Sequence, residues 1–119
     1  KTLDEIAALL LQASLPLRVE GHTDNTPLRS KRYRSNWDLS TARSVSVVQH
    51  LIDKHDYPAT LLSAGGFGDT RPLVENTTEK NRSINRRVDI VVVRDMTPPP
   101  VVRDELRDRN HEDDGDDEE

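Results

Sequence analysis

An apolar stretch of period two runs into a glycine-bounded polar loop, and the loop runs into one long helical repeat. Leu15, Leu17 and Val19 alternate with Pro16, Arg18 and Glu20, the pattern of a half-buried strand. Gly21 ends that strand and opens the loop Gly21-His22-Thr23-Asp24-Asn25-Thr26-Pro27. Residues 25–35 are polar and irregular, and Ser35 or Asn36 is suited to cap a helix reaching about His55. Ser40, Ser44, Val47, Val48 and Leu51 line one stripe of it, with small residues near its start that permit close packing on a sheet. A second strand, Leu61 to Phe67, follows. A strand, a long helix and a strand leave little choice but a helix laid across a sheet, by a right-handed crossover if the two strands are parallel.

The remaining elements fit around this unit. Thr2 and Glu5 occupy the two positions of a capping box, and Leu3, Ile6, Ala7 and Leu10 recur at helical spacing, which predicts a helix over 3–13 closed by Pro16. Tyr57-Pro58 ends the long helix. Gly65, Gly66 and Gly68 mark a tight bend or a close backbone approach. Asp69 to Thr78 reads as loop and Glu79 to Ile84 as a helical turn. Arg86 to Arg94 reads as a strand with Val88, Ile90 and Val92 on one face and Val91 and Val93 on the other. The expected fold class is α+β, a two-layer sandwich of helices on a small mixed sheet. The folded domain is expected to span 1–95, and 96–119 to form a Pro-rich, then acidic, disordered tail.

Charge and composition narrow the function. Ten acids against three arginines in residues 101–119 give −7, so the first hundred residues carry +2 of the total of −5. A near-neutral body without interleaved aromatics argues against a nucleic-acid partner. The chain has no cysteine, which excludes disulfides and thiol chemistry. No run approaches the roughly 18 apolar residues of a membrane span. The first residue is Lys, and the reading taken here is of a fragment whose preceding part carries any targeting or membrane segment.

The residues that invite a chemical role are Asp24, at the end of a strand, and Arg43, in the first turns of a helix. An acid and a base on facing elements can grip a zwitterion, Asp24 taking an ammonium and Arg43 a carboxylate. Asn36, Ser40 and Arg43 fall at i, i+4 and i+7 and share one helix face. From spacing alone, a structural ion pair between Asp24 and Arg43 is equally compatible. His22 and Asp24 could begin a metal site but lack a third ligand, and His50, His55 and His111 have no fixed ligand spacing, so no metal and no cofactor is expected. A Ser40–His22–Asp24 triad lacks a nucleophile elbow, and no catalytic residue is assigned. Trp37 reads as a packing plug at the helix start, and Arg87 as a solvated or salt-bridged residue.

Thr23-Asp24, then Leu39-Ser40, Arg43, Val47 and Leu51, resemble the signature of the OmpA-like peptidoglycan-binding domain family. Phe67 between glycines and Asn85-Arg86-Arg87-Val88 are similar to its later elements. The resemblance covers roughly residues 3–94 and rests on four ordered motifs. The Gly-His-Thr-Asp-Asn-Thr-Pro loop, the Ser35-Asn36-Trp37 helix start and the fourteen-residue spacer between Asp24 and Leu39 are most similar to the MotB branch, whose members are flagellar stator subunits. Ser44 stands where the family pattern has Ala. The resemblance implies a β-α-β-α-β-β order whose first strand is missing here. It also implies binding of the diaminopimelate of a peptidoglycan stem peptide by Asp24 and Arg43, with the helix N-terminus favouring the ligand carboxylate. Asn36 and Ser40 share that face, and Thr23, Leu39 and Arg86 are implied as further contacts. Further implications are a periplasmic location, as the soluble part of an inner-membrane protein, a homodimer, and a MotA-like membrane subunit met through the region before residue 1. The alternative is an envelope tether of an outer-membrane protein or lipoprotein.

Overall fold

The computed structural model describes residues 2–102. Three helices and three strands run in the order α1 (Leu3–Gln12), β1 (Leu17–His22), α2 (Asn36–His55), β2 (Leu62–Gly66), α3 (Glu79–Asn85) and β3 (Arg87–Val92). A single 3-10 turn, Ala59–Leu61, leads into β2. Each helix begins on a hydroxyl that accepts a backbone amide three residues on: Thr2 from Glu5, Ser35 from Asp38 and Thr78 from Asn81. α2 ends where Asp56 turns left-handed (φ 52°) and the Tyr57 amide donates to the Leu51 carbonyl at 3.1 Å.

β1 is the central strand, parallel to β2 (Leu17 opposite Leu62) and antiparallel to β3 (Leu17 opposite Val92). α2 is thus the crossover between two parallel neighbours. The sheet is mixed and the helices pack on it, so the expected α+β class holds, as does the type of every element. The acidic run 112–119 lies outside the described residues.

The core lies between the sheet and the helices. Ala7, Leu17, Val19, Leu51 and Tyr57 are buried, with Leu3, Leu10, Val47, Val48, Val88 and Ile90 packed around them. The phase expected of β3 is therefore correct for Val88 and Ile90. The Tyr57 hydroxyl donates to the Leu15 carbonyl at 2.6 Å, tying the end of α2 to the link between α1 and β1.

Two glycines set how near α2 can come. A Cβ at Gly21 would fall on the Ser40 carbonyl, and one at Gly66 would stand 2.5 Å from the Thr41 amide nitrogen. Gly21 does not end β1, as the sequence reading had it. It lies inside the strand, paired with Gly66 and Val88, and serves as a contact point for the helix. Gly68 makes the turn after β2 at φ 58°, whereas a Cβ at Gly65 would meet nothing within 4 Å.

Candidate functional site

The loop leaving β1 turns back on itself around Asp24. The Thr23 amide donates to the Gly68 carbonyl at 2.9 Å, and its hydroxyl donates to the Asp24 carbonyl at 2.8 Å. Asp24 Oδ1 accepts the Thr26 amide at 2.9 Å, a side-chain turn of the kind aspartate favours. Asp24 Oδ2 accepts Arg86 Nη1 at 2.6 Å, and Arg86 Nη2 donates to Glu79 Oε2 at 2.7 Å. Asn36 Nδ2 donates to the Thr26 carbonyl at 3.2 Å, fastening the first turn of α2 to the same loop. The strand end, the helix start and the α3–β3 junction therefore meet at one carboxylate.

The ion pair left open by the sequence is not made with Arg43. The partner of Asp24 is Arg86, delivered from 62 residues away. Arg43 is exposed on α2 and forms no hydrogen bond or ion pair among the described residues. Ser40 is fully buried: its hydroxyl donates to the Trp37 carbonyl at 3.1 Å and accepts the Gly68 amide at 2.9 Å. Ser40 thus positions the Gly68 turn and presents no surface to a ligand, which corrects the contact role expected for it. Leu39 is half-buried beside it. Trp37 is 53% exposed with its ring flanking Gly68, so the packing-plug expectation is also corrected. Arg87 donates to both Asp89 oxygens at 3.2 Å and to the Arg71 carbonyl, a structural use.

His22 and Asp24 point to different partners. His22 is buried on the sheet face away from α2, stacked on Phe67 at 5.2 Å with 10° between planes, while Arg71 covers the Phe67 ring at 4.2 Å. Among the described residues no hydrogen bond joins Ser40, His22 and Asp24, so the triad geometry is absent. Burial, with Arg87 adding to it, lowers the His22 pKa against the pull of Asp89 and Glu20.

Burial alone would raise the Asp24 pKa, but the Thr26 amide and the Arg86 guanidinium outweigh it and the net shift is downward. A carboxyl whose folded pKa lies below its unfolded value, about 3.9, contributes stability that is present above that value. The contribution is lost as pH falls through the folded pKa. Urea unfolding midpoints are therefore expected to drop between pH 5 and 3 in the wild type, and to drop less in Asp24→Asn. An equal fall in both proteins would show that Asp24 contributes no such term.

Asn85 was named in the sequence only as part of a motif, yet it organises the loop before α3. It is fully buried. Its Oδ1 accepts the Leu73 and Val74 amides at 2.8 and 3.2 Å, and its Nδ2 donates to the Val74 carbonyl and Asn76 Oδ1 at 2.9 and 2.8 Å. Truncation strands several buried polar groups at roughly 1–3 kcal/mol each. Asn85→Ala is expected to lower stability by about 3 kcal/mol in urea unfolding, against less than about 0.5 kcal/mol for the exposed neighbour Ser83→Ala.

Fold and site together define a small α+β module that pairs Asp24 with Arg86 and leaves the α2 arginine without a hydrogen bond or ion pair among the described residues. The chain belongs to the OmpA family, which it matches over residues 1–86. It is 39% identical over 75 residues to motility protein B of Bacillus subtilis, covering 63% of this chain and 29% of that protein. Its fold superposes on the cell wall anchor of the type VI secretion system of Pseudomonas aeruginosa with TM-score 0.70 and 39% identity, over 76% of this chain and 62% of the other. The periplasmic domain of Helicobacter pylori MotB superposes with TM-score 0.70 and 26% identity, over 98% and 70%. The chain spans only 29–39% of the length of the first curated relatives it matches. Among the described residues no helix is long and apolar enough to cross a membrane.

Proposed function

We propose that this domain binds peptidoglycan without catalysis, through the diaminopimelate of the stem peptide, and anchors a flagellar motor stator to the cell wall from the periplasmic side of the inner membrane. The observation that carries the reading is the exposed Arg43, without a hydrogen bond or ion pair among the described residues, on the helix whose first turn is fastened to the Asp24 loop. A diaminopimelate end presents an ammonium and a carboxylate on one carbon. Asp24 retains lone pairs beyond those used by Thr26 and Arg86 and accepts the ammonium. Arg43 takes the carboxylate through its guanidinium fork. Thr23, Asn36 and Ser40 hold the frame, Leu39 borders it, and Arg86 keeps Asp24 ionised and aimed.

A wall anchor under load gains from pairing, because two linked sites on one polymer raise avidity. A homodimer is therefore part of the proposal, as is a MotA-like membrane subunit met through the rest of the protein. The second reading, an envelope tether, is favoured by the likeness to outer membrane protein Omp38 of Acinetobacter baumannii, 42% identical over 71 residues. The segment preceding this domain separates the two: one inner-membrane helix supports the motor, a barrel or a lipid-bearing Cys the tether.

Co-sedimentation tests the binding itself. The domain is expected to pellet with diaminopimelate-type sacculi, to be displaced by free meso-diaminopimelate, and to pellet poorly with lysine-type sacculi. Equal pelleting with both wall types would overturn the ligand, and release of soluble fragments would overturn the non-catalytic reading.

A further inference from the structure

Away from this site, at the junction of α1 and α2, three metal-competent side chains converge. Asp4 Oδ1, in the first turn of α1, lies 2.7 Å from His50 Nε2 and 2.8 Å from His55 Nε2, both on α2. The imidazole centroids are 5.6 Å apart with 69° between planes, so the two rings approach one point from different sides. We propose that Asp4, His50 and His55 form a binding site for a divalent transition cation, zinc foremost, that clips α1 onto α2.

Zinc bonds to imidazole nitrogen and carboxylate oxygen at about 2.0–2.2 Å, so tetrahedral ligands around it stand roughly 3.3 Å apart. The observed separations need to open by only about half an ångström, within the reach of side-chain rotation. Without metal, each Nε2 carries a proton that it donates to Oδ1. With metal, each imidazole holds its proton on Nδ1 and offers the Nε2 lone pair, and Asp4 is already an anion. The Asp4 side chain is 63% exposed and that of His50 35%, which leaves the remaining coordination open to water. Two imidazoles and one carboxylate select zinc, copper or nickel over magnesium and calcium.

The other candidate cluster, Glu20, His22 and Asp89, is less suited, because Arg18 already pairs Glu20 and Arg87 pairs Asp89. The sequence spacing of His50 and His55 marked no metal site, since the third ligand arrives from 46 residues away only in the fold.

The test is a titration of the chelator-stripped full chain with zinc chloride alone, followed by calorimetry and thermal melting. One equivalent is expected to bind, and saturating zinc to raise the melting temperature by more than about 5 °C. His50→Ala, His55→Ala and Asp4→Asn are each expected to weaken binding more than 100-fold, beyond the roughly 10–100-fold typical of outer-shell losses. Magnesium is expected to have no effect. In the wild type, ring NMR signals of His50 and His55 should shift on zinc addition while those of His22 stay, a readout that does not depend on any variant folding. Binding that survives His50→Ala with His55→Ala, or that disappears in His111→Ala, would place the ion elsewhere and overturn the site. Absence of any zinc-dependent change would leave a hydrogen-bonded cluster and overturn it equally.

Discussion

Arg43→Ala is expected to weaken sedimentation with diaminopimelate-type sacculi by about 30-fold while leaving the fold intact. The magnitude follows from the loss of a charge-assisted fork contact at an exposed position, about 2 kcal/mol, at the low end of the range for charged partners, and each 1.4 kcal/mol is tenfold. The variant is clean because Arg43 is exposed and makes no hydrogen bond or ion pair among the described residues, so stability should change by less than about 0.5 kcal/mol. Arg43→Lys keeps the charge but not the planar fork, and recovery should be partial. Asp24→Ala tests the same site less cleanly, since Asp24 also holds Thr26 and Arg86. An Arg43→Ala protein that pellets like the wild type would remove Arg43 from the proposed site.

Gly21→Ala is expected to match Asn85→Ala in its effect on stability, a loss of roughly 3 kcal/mol, at the upper end for overpacking a close contact. The melting temperature should fall by roughly 12–24 °C for a domain of this size. The added methyl would collide with the Ser40 carbonyl, a backbone atom that moves only if α2 lifts from β1. Lifting α2 also displaces Asn36 from the Asp24 loop and carries Arg43 with the helix, so wall binding should fall along with stability. Gly65→Ala is the control: nothing lies within 4 Å of its would-be Cβ, and its expected change is within about 1 kcal/mol. Similar losses in the two variants would mean that generic glycine effects in strands, rather than the helix contact, set the result.

The element types were legible because each carries its own local signal. Alternation in Leu17 and Val19, the stripe from Ser40 to Leu51, and caps at Thr2 and Ser35 act over a few residues and need no knowledge of the rest of the chain. Boundaries shifted by a residue or two, as where β3 begins at Arg87 rather than Arg86, because strand ends depend on the partner. The site was half legible. Its candidate residue types could be read, but not that Ser40 is buried while Arg43 on the same helix is exposed, nor the pairing of Asp24, since Arg86 reaches it only when β3 docks beside β1.

Local chemistry in the sequence therefore determined where helices and strands form, which faces are apolar, and that Asp24 follows a strand while Arg43 lies on the long helix. Tertiary structure alone decided that Gly21 is a helix contact, that Ser40 is a buried brace, that Asn85 holds the loop before α3, and that Asp4 meets His50 and His55. The reason is range: periodicity and capping are set by neighbours within a turn, whereas these contacts join residues from 9 to 51 positions apart and exist only once the chain has folded back on itself.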